Sequence, residues 1–303
     1  MRNLKLKTLS VALLSLGLIA SVPVFAQKTA LPSAPQTQSK ATESVQPQVD
    51  KKAAKKAAEK RKKITAEAVA AIDETMKALK LLDEKETKEA LAELERATGK
   101  LDLILARDPS LNLAPVDVEV VTYDLLADLD TIKAVIKQAK DYLEDGKIQK
   151  ARPLVANLAS EIVFRTTSIP LATYPDAIKA VAPLIDEGKL DEAKAALQTA
   201  LNTLVVTTDD VIPLPALRAK HLLNNAEALA ENEKRTDKDN ETLTKQLEEA
   251  RKQLKMAELL GYGDKKSFKS MYEQLDQIEK KTAGGKSGKG WFDKIKQHLS
   301  DLI

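Results

Sequence analysis

Apolar residues recur at helical spacing through most of this chain. Ile64, Ala68, Ile72, Thr75, Leu79 and Leu82 fall on one stripe, which predicts a helix. A second is predicted over about 87–106, with Leu91, Leu94, Leu101 and Leu105 inward and Asp108-Pro109 ending it. Val118, Leu125, Ile132 and Ala139 then repeat every seven residues, interleaved with Thr122, Leu129, Ile136 and Leu143. Read as a heptad seam, these positions predict one long helix over 118–143, about 40 Å in length. Gly146 closes it, as a residue that tolerates a left-handed turn.

The stretch LEDGKIQKARPLV at 143–155 has an echo in IDEGKLDEAKAAL at 185–197. Each copy reads as a helix, a glycine turn and a second helix. The second helices carry apolar faces at Ile148, Ala151, Val155, Leu158 and Ile162, and at Leu190, Ala193, Leu197, Ala200 and Leu204. Both then meet a Thr-Thr pair followed by Ile-Pro-Leu, TTSIPLA at 166–172 and TTDDVIPL at 207–214, read as extended connectors bounded by proline. A looser cousin, LDEKETKEALAEL at 82–94, lacks the glycine but leads to Asn112-Leu113-Ala114-Pro115. The unequal spacing of the copies argues against a regular solenoid. The fold class expected is all-α, a bundle of helical hairpins with one long heptad-patterned helix and Pro-bounded extended connectors.

Pro213 and Pro215 open a further helix through Ala228, and the polar run at 231–241 separates it from a second seam at Leu243, Leu247, Ala250, Leu254 and Ala257. Gly261-Tyr262-Gly263 closes that seam, and Phe268, Tyr272, Leu275 and Ile278 make another helix face. The expected organisation is a signal peptide at 1–26, a disordered basic linker at 27–63 and a helical domain at 64–235. A helical extension at 236–282, a flexible Gly/Lys linker at 283–290 and an amphipathic terminal helix at 291–303 complete it.

The ends suggest the compartment. Arg2, Lys5 and Lys7 precede a short apolar core from Leu9 to Ile19, and Val24-Phe25-Ala26 ends in small residues, so cleavage is expected between Ala26 and Gln27. With no cysteine there is no lipid attachment through one and no disulfide, and the expectation is a periplasmic protein. Without those 26 residues the chain is formally neutral, but its charge is segregated. Residues 27–63 hold ten Lys/Arg against three acids, whereas residues 64–210 hold 27 acids against 17 bases. An acidic body with basic ends can bind its own tails, anionic envelope polymers or another copy of itself. Nucleic acid is not expected as a partner, because so few aromatic residues are present to stack on bases.

No residue set names a reaction. GGKSGKG at 284–290 lacks the glycine spacing of a phosphate loop, since position 280 is Lys and position 283 is Ala. Asp237 to Glu248 mimics a calcium loop, but Thr242 stands where the sharp turn requires glycine, so helix capping is the better reading. His221 and His298 are far apart with no cysteine partners, and the acidic pair Asp124/Asp128, expected on one helix face, reads as solvated. No catalytic, cofactor-binding or metal-binding residue is therefore assigned, and no cofactor is expected. Trp291, Phe292, Ile295, Leu299 and Leu302 share one face of the terminal helix. That face would dock on the bundle, on another protomer or on a membrane or cell-wall surface.

Residues 165–219, through the two Thr-Thr…Ile-Pro-Leu signatures and the Gly-Lys-Leu turn, resemble the YfdX family of bacterial envelope proteins, and the likeness extends back to about residue 65. The resemblance implies a largely helical, exported protein associated with acid or heat stress. It carries no established enzymatic activity and no catalytic motif. The expected function is a non-enzymatic periplasmic stress protein acting by protein binding or self-association. It would form homo-oligomers and act as a chaperone toward destabilised envelope proteins. The alternatives are a small-ligand-binding helical bundle, with a pocket near the connectors and Tyr174, and an envelope-tethering protein using its basic ends.

Overall fold

The Thr-Thr segments are strands. The computed structural model describes residues 38–303, and the expected signal peptide and its cleavage point lie outside them. In chain order the elements are α1 (Lys40–Arg61), α2 (Ala66–Asp83), α3 (Thr87–Arg107), β1 (Leu113–Tyr123), α4 (Leu129–Glu144), α5 (Ile148–Ala156), β2 (Glu161–Pro170) and α6 (Tyr174–Lys179). There follow α7 (Val181–Asp186), α8 (Leu190–Leu201), β3 (Val205–Pro213), α9 (Leu214–Ala230), α10 (Asp237–Leu259), α11 (Lys265–Thr282) and α12 (Asp293–Ser300).

The strands form one antiparallel sheet in the order β1-β2-β3, so the protein is mostly helical rather than all-α. The long helix expected over 118–143 does not exist: its first part is β1, and only Leu129–Glu144 is helical. The physical reason is local. Val116-Asp117-Val118-Glu119-Val120 alternates strictly, and β-branched side chains suit a pleated surface. The heptad spacing samples every third or fourth residue and passes over that period of two. Ile162, expected on a helix face, is likewise a buried residue of β2.

The sequence echo is a structural unit of two helices and a strand, used three times: α2-α3-β1, α4-α5-β2 and α7-α8-β3. Each inter-helix turn has one residue of positive φ, Lys85 (61°), Gly146 (70°) and Gly188 (76°). The same pair of hydrogen bonds recurs at each, including Glu86 N–H to Leu81 O (2.9 Å), Lys147 N–H to Tyr142 O (2.7 Å) and Lys189 N–H to Leu184 O (2.8 Å). The loose cousin at 82–94 is thus a full member of the series, with lysine bearing the left-handed strain that glycine avoids.

Two cores flank the sheet. One gathers α2, α3 and α6 to α8 around Leu82, Leu101, Ile169, Tyr174 and Leu197. The other joins α1 to α9, α10, α11 and α12 through Val45, Leu222, Leu247, Phe268 and Ile295. Between them, Val49 and Ala57 of α1 cover Ile162, Phe164 and Ile212 on one sheet face.

Three expectations of organisation change here. Residues 40–61, expected within a disordered linker, form a helix whose buried Val45 and Val49 sit one turn apart. Residues 38–303 belong to one compact unit, so the boundary expected near 235 is a loop between two packed helices. The Gly/Lys segment is held down: Arg235 Nη2 donates to Lys286 O (2.6 Å), and Gly288 N–H donates to Ala230 O (3.1 Å).

Candidate functional site

The residues that carry the sequence echo converge on the sheet. Thr166 of β2 pairs with Thr207 of β3, and between Phe164 and Arg165 the register slips, leaving Asp209 as the extra residue of a bulge on β3. A bulge breaks the alternation of faces, so Asp209 and Asp210 both reach the same helix. Lys60 Nζ lies 3.3 Å from Asp209 Oδ2 and 2.6 Å from Asp210 Oδ2, and Lys56 Nζ lies 3.0 Å from Asp210 Oδ1. Thr166 and Thr207 donate their hydroxyls to the two oxygens of Asp209, the latter at 2.7 Å. Lys60, Lys63, Thr166, Ser168, Thr207 and Asp209 line a polar groove of about 330 Å³ beside this cluster.

Burial acts to raise the Asp209 carboxyl, but the hydrogen bonds from Thr166, Thr207 and Lys60 outweigh it and hold the group below its ordinary value. Asp210 is held low in the same way by Lys60 and Lys56, against its own burial. A carboxylate held low is a weaker base, and Asp209 is the one of the two that accepts from the threonine hydroxyls. The arrangement does two things: it fastens the basic N-terminal helix to the sheet and leaves a polar groove at its edge. The basic segment binding the acidic body, one of the outcomes open to the segregated charge, is realised here.

The second candidate is a surface. Leu143 (50% exposed) and Ile148 (62%) flank the Gly146 turn, and Val155 (53%) lies on α5. Leu126 and Tyr123 stand exposed just before α4, and Val206 and Val211 are exposed on β3. Of the α5 face expected inward, Ala151 is buried, whereas Ile148 and Val155 are exposed. The hairpin packs chiefly on itself, with a smaller contact between α4 and α10.

The remaining residues singled out from the sequence are accounted for individually. Asp124 and Asp128 share no helix face: Asp124 takes a bidentate pair from Arg218 at 2.8 and 2.7 Å, and Asp128 caps α4 by accepting from Thr131 N–H (2.6 Å). The calcium-like stretch begins α10 with a capping box between Thr236 and Asp239. His221 is pushed below its ordinary value, first by burial and then by Lys220 and Lys52. His298 Nδ1 lies 3.1 Å from Gln274 Nε2. Among the described residues no three His, Asp or Glu gather as metal ligands would. Tyr174 is wholly buried and lines neither the 630 Å³ groove between α10 and α11 nor the 470 Å³ groove beside α3 and α6. Phe292, Ile295 and Leu299 are buried in the bundle, so membrane contact through α12 would require it to undock. No described helix is long and apolar enough to cross a membrane.

Sequence reasoning missed the tie made by Tyr262. Its hydroxyl accepts from Ser160 N–H (2.8 Å) and donates to Glu161 Oε2 (2.8 Å), joining the α10–α11 turn to the start of β2. Tyr262 between two glycines was the available signal.

No curated protein matches. Among solved structures, a crystal form of Salmonella Typhi YfdX aligns at 15% identity with a TM-score of 0.34, covering 50% of this chain and 93% of that one. The family model for YfdX protein matches residues 71–210, nearly the span of the three helix-helix-strand units. Through residues 71–210 the chain belongs to the YfdX family.

Proposed function

We propose that this protein is a non-enzymatic binding protein of the periplasm, working by self-association and by holding destabilised envelope proteins under acid or heat stress. The observation that carries this reading is the set of exposed apolar side chains along the α4–α5 hairpin. A hydrophobic side chain left half in water on an otherwise well-packed domain marks a contact site when several cluster. Leu143 and Ile148 flank the turn of one short hairpin, and Val155 follows Ile148 by two helical turns on α5. Burying them against a partner would remove apolar surface from water at about 25 cal/mol per Å². The charge cluster at Asp209 and Asp210 has a structural task beside it, fastening α1 to the sheet through Lys56 and Lys60.

Mixing the protein with a model periplasmic client during acid or heat exposure tests the holding role. Suppression of light scattering at stoichiometric amounts is expected. Unchanged scattering would count against it.

A further inference from the structure

An open groove of about 470 Å³ runs along α3 where that helix packs against α6 and α7. Leu91, Leu94, Ile178 and Ala182 give it a largely apolar lining. On α3 it extends from Leu91 to Asp102, about 17 Å at the helical rise. Gly99 lies within that length, and a Cβ added there would meet nothing within 4 Å, so the space above its backbone is open. The charges on the walls are not equally engaged. Lys179 Nζ lies 3.1 Å from Asp102 Oδ1, whereas Glu95 pairs with no cation among the described residues.

The chain also carries a helix face of complementary form. On α5, Ile148, Arg152 and Val155 follow one another at spacings of four and three, so they share one face about 10 Å long. All three are exposed, Arg152 makes no hydrogen bond or ion pair among the described residues, and α5 contains no acid. An unpaired cation between apolar side chains thus answers an unpaired carboxylate between apolar walls. Such opposite charges fix the register of a contact and reject like-charged alternatives. Within its own chain the hairpin packs chiefly on itself and on α10, and α3 and α6 are not among its main contacts, so the face that fits the groove comes from another molecule.

We propose that the α5 face of one copy docks in the α3–α6 groove of a second copy, with Arg152 paired to Glu95. Gly99 lies one turn from Glu95, and Ile148 and Val155 each lie one turn from Arg152, so one of the two fills the open space over Gly99. This rests on the self-association proposed above and gives it a geometry. The two surfaces differ, so the contact is heterologous. Each bound copy still offers a free groove at one end or a free hairpin at the other, and copies add head to tail into chains or rings. One groove and one short helix make a small interface, which suits association that grows with concentration.

Sedimentation velocity on two variants, each keeping one surface, tests this. Gly99→Trp fills the groove and leaves the hairpin, whereas Leu143→Ser/Ile148→Ser/Val155→Ser removes the apolar hairpin surface and leaves the groove. Both should keep the native circular dichroism, and each alone should associate at least tenfold more weakly than the native chain. Their equimolar mixture should form a one-to-one dimer and nothing larger, because one intact hairpin meets one intact groove. Glu95→Arg should weaken association at least fivefold, and Glu95→Arg/Arg152→Glu should recover most of that loss. Association of Gly99→Trp alone at native strength would overturn the groove as the partner surface and leave self-association standing. A mixture that stays monomeric, or a charge-swapped chain no stronger than Glu95→Arg, would do the same. A native chain that is monomeric at every concentration would overturn self-association and this contact together.

Discussion

Thr166 and Thr207 occupy facing positions in β2 and β3, and both give their hydroxyl protons to Asp209. The second and third structural repeats are therefore joined by side chains as well as by the backbone ladder. Replacing Asp209 with Ala removes an acceptor shared by two hydroxyls and should lower the unfolding free energy by about 1–2 kcal/mol. Asp209→Asn keeps one acceptor and should lose less. Urea denaturation of the three proteins makes the comparison.

The same cluster gives a signed pH dependence. Asp209 and Asp210 are held below their ordinary values, so they take up protons in the unfolded chain before the folded one. Their contribution is present above the unfolded value of about 4 and is lost as pH falls through the lower folded values. The melting temperature of the native chain should therefore drop more steeply below about pH 4 than that of the Asp209→Asn/Asp210→Asn double variant. Equal slopes would mean that the carboxylates do not act as described.

The three equivalent turns should respond unequally to glycine. Gly188 has φ of 76° and open space where an added methyl would project, so Gly188→Ala costs only backbone strain, about 1 kcal/mol. Lys85 already bears that strain at φ 61°, so Lys85→Gly should leave stability unchanged or raise it slightly. Thermal melts of the two variants should move in different directions, or only the first should move.

Tyr262→Phe should cost about 1–3 kcal/mol, because the wholly buried Ser160 loses the acceptor for its N–H. Burial, and then Glu161, push the phenol above its ordinary value, so no titration of this tie is expected near neutrality. Chemical denaturation measures the loss.

Most helices were legible in the sequence because aliphatic residues at a spacing of three and four define a buried stripe, as at Ala68, Leu82 and Leu101. The sheet was not. Strands of about ten residues with prolines inside or at their ends read as connectors, and Val118 and Thr122 happened to fall on a heptad shared with α4. The echo of the turns was visible, yet its outcome, three strands side by side, depends on pairing between segments about 40 residues apart. Helix α1 was hidden for another reason: its lysines outnumber its few buried residues, and what it covers is supplied by β2 and β3. The cluster at Asp209 arises from a bulge, which no local pattern announces.

The proposed binding role rests most heavily on the exposed apolar residues of the α4–α5 hairpin, Leu143, Ile148 and Val155. Sedimentation velocity across a range of protein concentrations tests it most directly, comparing the native chain with Leu143→Ser/Ile148→Ser/Val155→Ser. The native chain should sediment faster as concentration rises, and the triple variant should stay a single slow species with unchanged circular dichroism. A variant that associates as strongly as the native chain would contradict that role for the hairpin.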